Sequence, residues 1–190
     1  LGSHSPLATA FQPLPVWEPL QYGALWTNLD NALDPHTFAR NELAQRYRRA
    51  DRMVGIIPLG NAKVALFWSV KVKQVDALMS RGVESFKQEI LGMWPDLQPL
   101  TQQVRSFDQF TFAPYCHRTL RRATDGKSIA FVGDARKSTS PQLGQGLNTS
   151  LVDALALSRA LQLTPHDVPR ALQQYCAARR RHVAAYQFLS

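Results

Sequence analysis

Apolar positions change period twice along this chain. Tyr22 to Asp30 (YGALWTNLD) reads as a strand with aromatic residues at Tyr22 and Trp26. Ala44 to Ala50 is polar and basic, with Arg46, Arg48 and Arg49 around Tyr47. Arg52 to Leu59 (RMVGIIPL) and Ala62 to Val70 (AKVALFWSV) are two apolar runs separated by Gly60-Asn61, which signals a hairpin. From Gln74 to Trp94 the spacing becomes helical, through Val75, Leu78, Met79, Val83, Phe86 and Ile90; Gly82 is an expected interruption and Trp94-Pro95 the end. Phe107 to Ala113 (FDQFTFA) alternates and is predicted as a strand, and Ile129 to Val132 as a short, buried one. Two helices close the chain, one with a stripe of Leu147, Leu151 and Leu155, the other with Val168, Leu172, Tyr175 and Val183. The first twenty residues hold Pro6, Pro13, Pro15 and Pro19, which predict an irregular or edge segment.

Composition narrows the class. With 190 residues, 45% hydrophobic and 19% charged, the chain is globular rather than disordered, collagen-like or coiled-coil. Its formal charge of +8 permits anionic ligands without requiring them. Basic clusters at Arg46–Arg52, Arg118–Arg122 and Arg179–Arg181 come with no nucleic-acid reading motif, and the expectation is solvated surface and no nucleic-acid partner. No apolar run reaches the ~18 residues of a membrane span, and Leu1-Gly2-Ser3-His4 is no signal peptide, so a cytoplasmic location is expected. Cys116 and Cys176 are expected as free thiols, and no metal-ligand set is present.

One segment stands apart: Ile129-Ala-Phe-Val-Gly133-Asp134-Ala135, then Arg136-Lys137, then Pro141-Gln-Leu-Gly144-Gln145-Gly146-Leu147-Asn148, then Asp153-Ala154. A buried strand ends in Gly-Asp, a loop follows, and two glycines bracket Gln145 where the next helix begins. Glycines there let a ligand approach the main chain. The first N–H groups of that helix suit an anion or a carbonyl gaining negative charge. Asp134 is placed to accept hydrogen bonds from hydroxyls, and Ser150 with Asp153 fits a capping box. Either fragment alone is a turn or a helix start; the ordered set is the signal.

GDA…SPQLGQGLN…DA resembles the second flavin-binding motif of the class A FAD-dependent aromatic hydroxylases, the flavoprotein monooxygenases typified by 4-hydroxybenzoate hydroxylase. Arg52–Gly60 with Val64–Trp68 is similar to paired strands of that family's substrate domain, and Tyr175–Arg181 to its C-terminal helix. The resemblance implies an α+β fold: a mixed or antiparallel substrate-domain sheet with helices over residues 1–126, then over 127–190 the last strand and helices of a Rossmann-like FAD domain. It implies FAD as cofactor and NAD(P)H as co-substrate. The implied activity is hydroxylation of a small aromatic ring with molecular oxygen through a flavin C4a-hydroperoxide. Gly133 and Asp134 would meet the ribityl chain, Pro141 would flank the isoalloxazine ring, and the backbone from Gly144 through Gln145, Gly146 and Leu147 to Asn148 would face its pyrimidine end. Trp26, Phe67 and Pro141 are the candidate substrate contacts; since Phe67 and Trp68 point to opposite faces, only one of them can line a pocket. No side chain is assigned as acid or base.

The family pattern is departed from in two ways. Arg136-Lys137 stands where Ala-His is usual, to contact a phosphate or face water. No GxGxxG occurs, and DGxxSxxR is matched only by a trace at Leu1–Ser5, so the chain reads as the C-terminal half of such an enzyme. Ile129–Val132 is then expected to join a parallel sheet in the missing half, or to self-associate through its exposed edge. A flavin halogenase or dehydrogenase on the same scaffold, or a non-catalytic interaction module, are the alternative readings.

Overall fold

The structure is a computed structural model that describes residues 16–36, 38, 42–49, 51–120, 122–138, 141 and 144–189. The expectations for Leu1–Ser5, Pro6, Pro13 and Pro15 lie outside these residues. In chain order the elements are β1 Val16–Asp30, β2 Ala44–Arg48, β3 Arg52–Gly60, β4 Lys63–Lys71, α1 Val75–Ser80, α2 Val83–Met93, α3 Gln98–Thr101, β5 Thr111–Thr119, β6 Lys137–Ser138, α4 Gly146–Leu163 and α5 Val168–Leu189. Antiparallel strands and helices together make the α+β class expected from the sequence. The chain divides into two compact units, one of residues 21–114, the other of 1–20 with 115–190. β1 and β5 each run through both.

In the unit of residues 21–114 the antiparallel order is β2-β3-β4-β1. Register decides which side chains meet. Leu25 lies opposite Trp68, and Trp68 opposite Val54, so all three share one face. Leu29, Ile56, Val64 and Leu66 join them, and α1 to α3 cover that face with Leu78, Phe86, Ile90 and Leu100, helped by Leu97 from the 3-10 turn before α3. Burying each such side chain contributes about 1.5–3 kcal/mol. Trp68 meets the edge of Phe86 at 5.5 Å. Phe67 points the other way and stacks on Trp26 at 4.6 Å. Its ring lies over Gly55, where a Cβ would sit 2.1 Å from Phe67 Cζ.

Several expectations hold in detail. Gly82 adopts φ +81° and divides the helical stretch into α1 and α2. The hairpin after β3 forms, shifted by one residue: Asn61 and Ala62, both at positive φ, make the turn, while Gly60 sits at a register irregularity beside Pro58. One element was not predicted and one expectation does not hold. Ala44–Arg48, read from the sequence only as polar and basic, forms an edge strand. Phe107–Gln109 is a 3-10 turn, and the strand starts only at Thr111. Ser106 Oγ accepts from the Asp108 amide at 3.3 Å and Gln109 Oε1 from the Ser106 amide at 3.2 Å, so side-chain capping outweighs the alternating pattern.

In the other unit β5 pairs with β6 through Arg118–Ser138 and Thr119–Lys137. Ile129–Val132 forms no parallel ladder among the described residues. It turns back antiparallel on 123–124, with a bridge from Thr124 to Ala130 and the Phe131 amide on the Ala123 carbonyl at 2.8 Å. The short loop between them closes locally, which favours this antiparallel pairing. Helix α4 packs on α5. Its inward positions are Thr149, Asp153 and Ala160, whereas the Leu147, Leu151 and Leu155 stripe is 73%, 59% and 68% exposed.

Candidate functional site

The local fold begins at the Gly133–Ala135 3-10 turn. Gly133 holds φ +55°, and a Cβ there would stand 2.7 Å from Ser150 Oγ, so only glycine lets the turn lie against α4. Its amide donates to Asp153 Oδ2 at 3.0 Å. Arg179 Nε, from α5, donates to Asp153 Oδ1 at 2.7 Å, and Arg136 Nη1 lies 3.8 Å from the same oxygen. Asp153 is fully buried. One carboxylate therefore ties the Gly-Asp turn, α4 and α5 together. Tyr175 adds a second tie: its hydroxyl donates to the Phe131 carbonyl at 2.8 Å and accepts from Arg136 Nη1 at 3.1 Å. Burial pushes that phenol above its usual range.

Three sequence expectations are corrected here. Asp153 caps no helix: α4 begins at Gly146, and Ser150 bonds back to the Gly146 carbonyl at 2.8 Å from inside it. Arg179 is not solvated surface; it is 3% exposed because Asp153 neutralises it. Neither Arg136 nor Lys137 faces water, at 6% and 3% exposed. Burial pushes the Lys137 ammonium below its ordinary range. The signal for Asp153 was in the sequence, as the single acidic residue of α4. Its partners Gly133, Arg136 and Arg179 lie on other elements, far along the chain, so periodicity had no means of naming them.

Past the turn, the residues singled out from the sequence are placed as follows. Asp134 is exposed, and its carboxylate makes no hydrogen bond or ion pair among the described residues. Pro141 is exposed, and its carbonyl accepts from the Gly144 amide at 2.9 Å, with Gly144 at φ +60°. Gln145 precedes α4; its carbonyl takes the Thr149 amide at 2.9 Å, and its side-chain oxygen takes Asn148 Nδ2 at 3.1 Å. The Gln145 side chain does not cap α4. The amides of Gly146, Leu147 and Asn148 precede the first intrahelical bond and meet no acceptor among the described residues. A Cβ at Gly144 or Gly146 would meet nothing within 4 Å, so the main chain is open there. Gly133, Asp134, Pro141 and Gly144 to Asn148 thus all belong to one unit. Trp26 and Phe67 belong to the other, where they contact each other; Phe67 is 2% exposed and Trp26 half-buried.

This arrangement offers a carboxylate acceptor, a set of uncapped helix amides and two glycines without steric cover. Such a set accepts hydroxyl donors on one side and partial negative charge on the other. Cys116 and Cys176 form no disulfide. Among the described residues no metal-binding group occurs, and no helix is long and apolar enough to cross a membrane.

Residues 20–188 match the family model described as "FAD binding domain". The 6-methylpretetramide 4-monooxygenase of Streptomyces rimosus is 31% identical over 122 residues, 62% of this chain and 29% of that protein. The FAD-dependent urate hydroxylase of Mycolicibacterium vanbaalenii is 41% identical over 56 residues, 30% of this chain and 14% of that one. Among solved structures, PqsL of Pseudomonas aeruginosa, a probable FAD-dependent monooxygenase, superposes with TM-score 0.75 at 24% identity, over 98% of this chain and 52% of that one. HpxO of Klebsiella pneumoniae, solved with FAD and uric acid, gives TM-score 0.73 at 21% identity over 98% and 47%. The chain spans less than a third of the two sequence relatives and about half of the two structures.

Proposed function

The chain belongs to the FAD binding domain family, and from that premise we propose that it is the C-terminal half of an FAD-dependent, NAD(P)H-using monooxygenase that hydroxylates a small aromatic ring with molecular oxygen. The observation that carries this reading is the exposed Asp134, whose carboxylate makes no hydrogen bond among the described residues, on the same local fold as the start of α4, whose first amides meet no acceptor among them. When bound, FAD supplies the redox chemistry, accepting a hydride from NAD(P)H and delivering one atom of dioxygen to the substrate.

The residues present fit that group. Asp134 accepts hydrogen bonds from ribityl hydroxyls, with Gly133 holding the turn that presents it. Pro141 flanks the ring. The amides of Gly146, Leu147 and Asn148, with Gly144 and Gln145 leading into them, face the pyrimidine edge, where reduction places negative charge. A helix N-terminus stabilises such charge by about 0.3–2 kcal/mol without a cationic side chain, and its donors are fixed before reaction. The buried Asp153–Arg179 pair keeps the turn and the helix start in register. For substrate, Pro141 is the proposed contact beside the ring; in the other unit Trp26, stacked on Phe67 over Gly55, is kept as a separate proposed aromatic contact. Relatives named for urate and pretetramide hydroxylation support an aromatic substrate.

The test is flavin affinity of the full-length protein carrying Asp134→Ala. Losing a charged acceptor costs about 1.5–3 kcal/mol, so the dissociation constant is expected to rise at least tenfold in a fluorescence titration. Wild-type affinity in this variant contradicts the role of Asp134.

A further inference from the structure

A cavity of about 340 Å³ lies between Leu120 with residues 122–124 and α5, lined by none of the residues assigned above to flavin or substrate. Both walls belong to the unit that contains residues 115–190. Arg122, Arg136 and Arg180 line it, with Thr124, Gln173 and Cys176; no carboxylate does among the described residues. Arg122 and Arg180 are exposed, whereas Arg136 is 6% exposed. The Nη1 of Arg136 is engaged by Tyr175 and Asp153. Its Nε is buried and has no hydrogen-bond partner among the described residues.

The charge balance points the same way. Asp153 is the one buried carboxylate among the described residues, and it faces three buried cations, Arg136, Lys137 and Arg179. Arg179 holds the short bond to it. Arg136 is left with an unsatisfied donor beside a cavity whose other charged walls are also arginines. A buried guanidinium N–H without an acceptor is costly, and planar oxyanions match its fork.

We propose that this cavity binds a small soluble oxyanion, a phosphate or carboxylate group, with Arg136 Nε as the inner donor and Arg122 and Arg180 as the outer cations. Thr124 and Gln173 add neutral hydrogen-bonding groups at the wall. The volume exceeds that of a bare phosphate, so the group can be carried by a small organic molecule. Because Arg136 also reaches Asp153 and Tyr175, the ligand touches the framework of the Gly-Asp turn without entering it.

Cys176 provides a reporter. Burial pushes its thiol up while Arg136 and Arg180 pull it down. An oxyanion in the cavity offsets that pull and blocks access, so alkylation slows. The experiment follows iodoacetamide labelling of Cys176 by peptide mass spectrometry in the full-length, FAD-saturated protein. Inorganic phosphate and acetate are titrated separately at constant ionic strength set with sodium chloride. Saturable protection by at least one of them is expected, and the tighter of the two identifies the group. Arg122→Ala and Arg180→Ala, both at exposed positions, are each expected to weaken it about two- to fivefold. Arg136→Ala is expected to abolish it; if that variant does not fold, the two outer variants decide. No saturable protection by either anion, protection unchanged in both outer variants, or protection seen only when FAD is absent overturns the proposal.

Discussion

Asp153 and Gly133 carry the local order of the candidate site, and each makes a distinct expectation. Asp153 compensates Arg179 and draws on the Gly133 amide while fully buried. Removing one member of a buried ion pair strands its partner, at about 3–5 kcal/mol. Asp153→Ala is therefore expected to lower unfolding stability by that amount in denaturant titration; a loss below ~1 kcal/mol, as at an ordinary surface position, would contradict the pairing. Gly133→Ala meets two obstacles: a positive φ that costs alanine about 1–2 kcal/mol, and Ser150 Oγ 2.7 Å from the new methyl. Adding Ser150→Gly to Gly133→Ala is expected to relieve the second and not the first. Equal stability of the single and double variants, after subtracting the effect of Ser150→Gly alone, would show that the turn does not lie against α4. At this scale the sequence was partly legible. The glycines and Asp134 announced themselves through spacing. The burial and partners of Asp153, Arg136 and Lys137 did not, because their environments are assembled from residues on three separate elements.

At the scale of elements, local chemistry outweighed pattern wherever the two disagreed. The alternation over Phe107–Ala113 promised a strand, yet the Ser106 and Gln109 side chains hold a turn. The loop before Ile129–Val132 likewise folds that segment back on 123–124, with an antiparallel bridge from Thr124 to Ala130. That loop is stapled by Asp125, whose Oδ1 accepts from the amides of Lys127, Ser128 and Ile129 at 2.8–2.9 Å. These bonds, the Ile129 amide first, hold the Asp125 carboxyl at about 2 against an ordinary 3.8. A depressed carboxyl contributes order that is complete above its unfolded value and is lost as pH falls from 3.8 through about 2. An NMR titration is expected to show Asp125 and the three amides moving together with a midpoint near 2; a midpoint near 3.8 would mean the staple is absent. The hairpin at Asn61 and the break at Gly82 were legible because a single residue's φ preference decides each.

For the whole molecule, the α+β class and the family were readable from sequence, and the facing of the terminal helices was not. Leu147, Leu151 and Leu155 recur at helical spacing, which establishes a stripe but not the side it takes. The structure turns Thr149, Asp153 and Ala160 inward, since Asp153 is neutralised by Arg179, and leaves the leucines exposed. We propose that a preceding dinucleotide-binding half covers this face and completes the FAD site, consistent with a chain that spans about half of PqsL. The most direct measurement is a crystal structure of the full-length protein soaked with FAD. The isoalloxazine pyrimidine edge is expected within hydrogen-bond distance of the Gly146 to Asn148 amides, with a ribityl hydroxyl on Asp134. Density that places the ring elsewhere and leaves this corner to solvent would contradict the central claim.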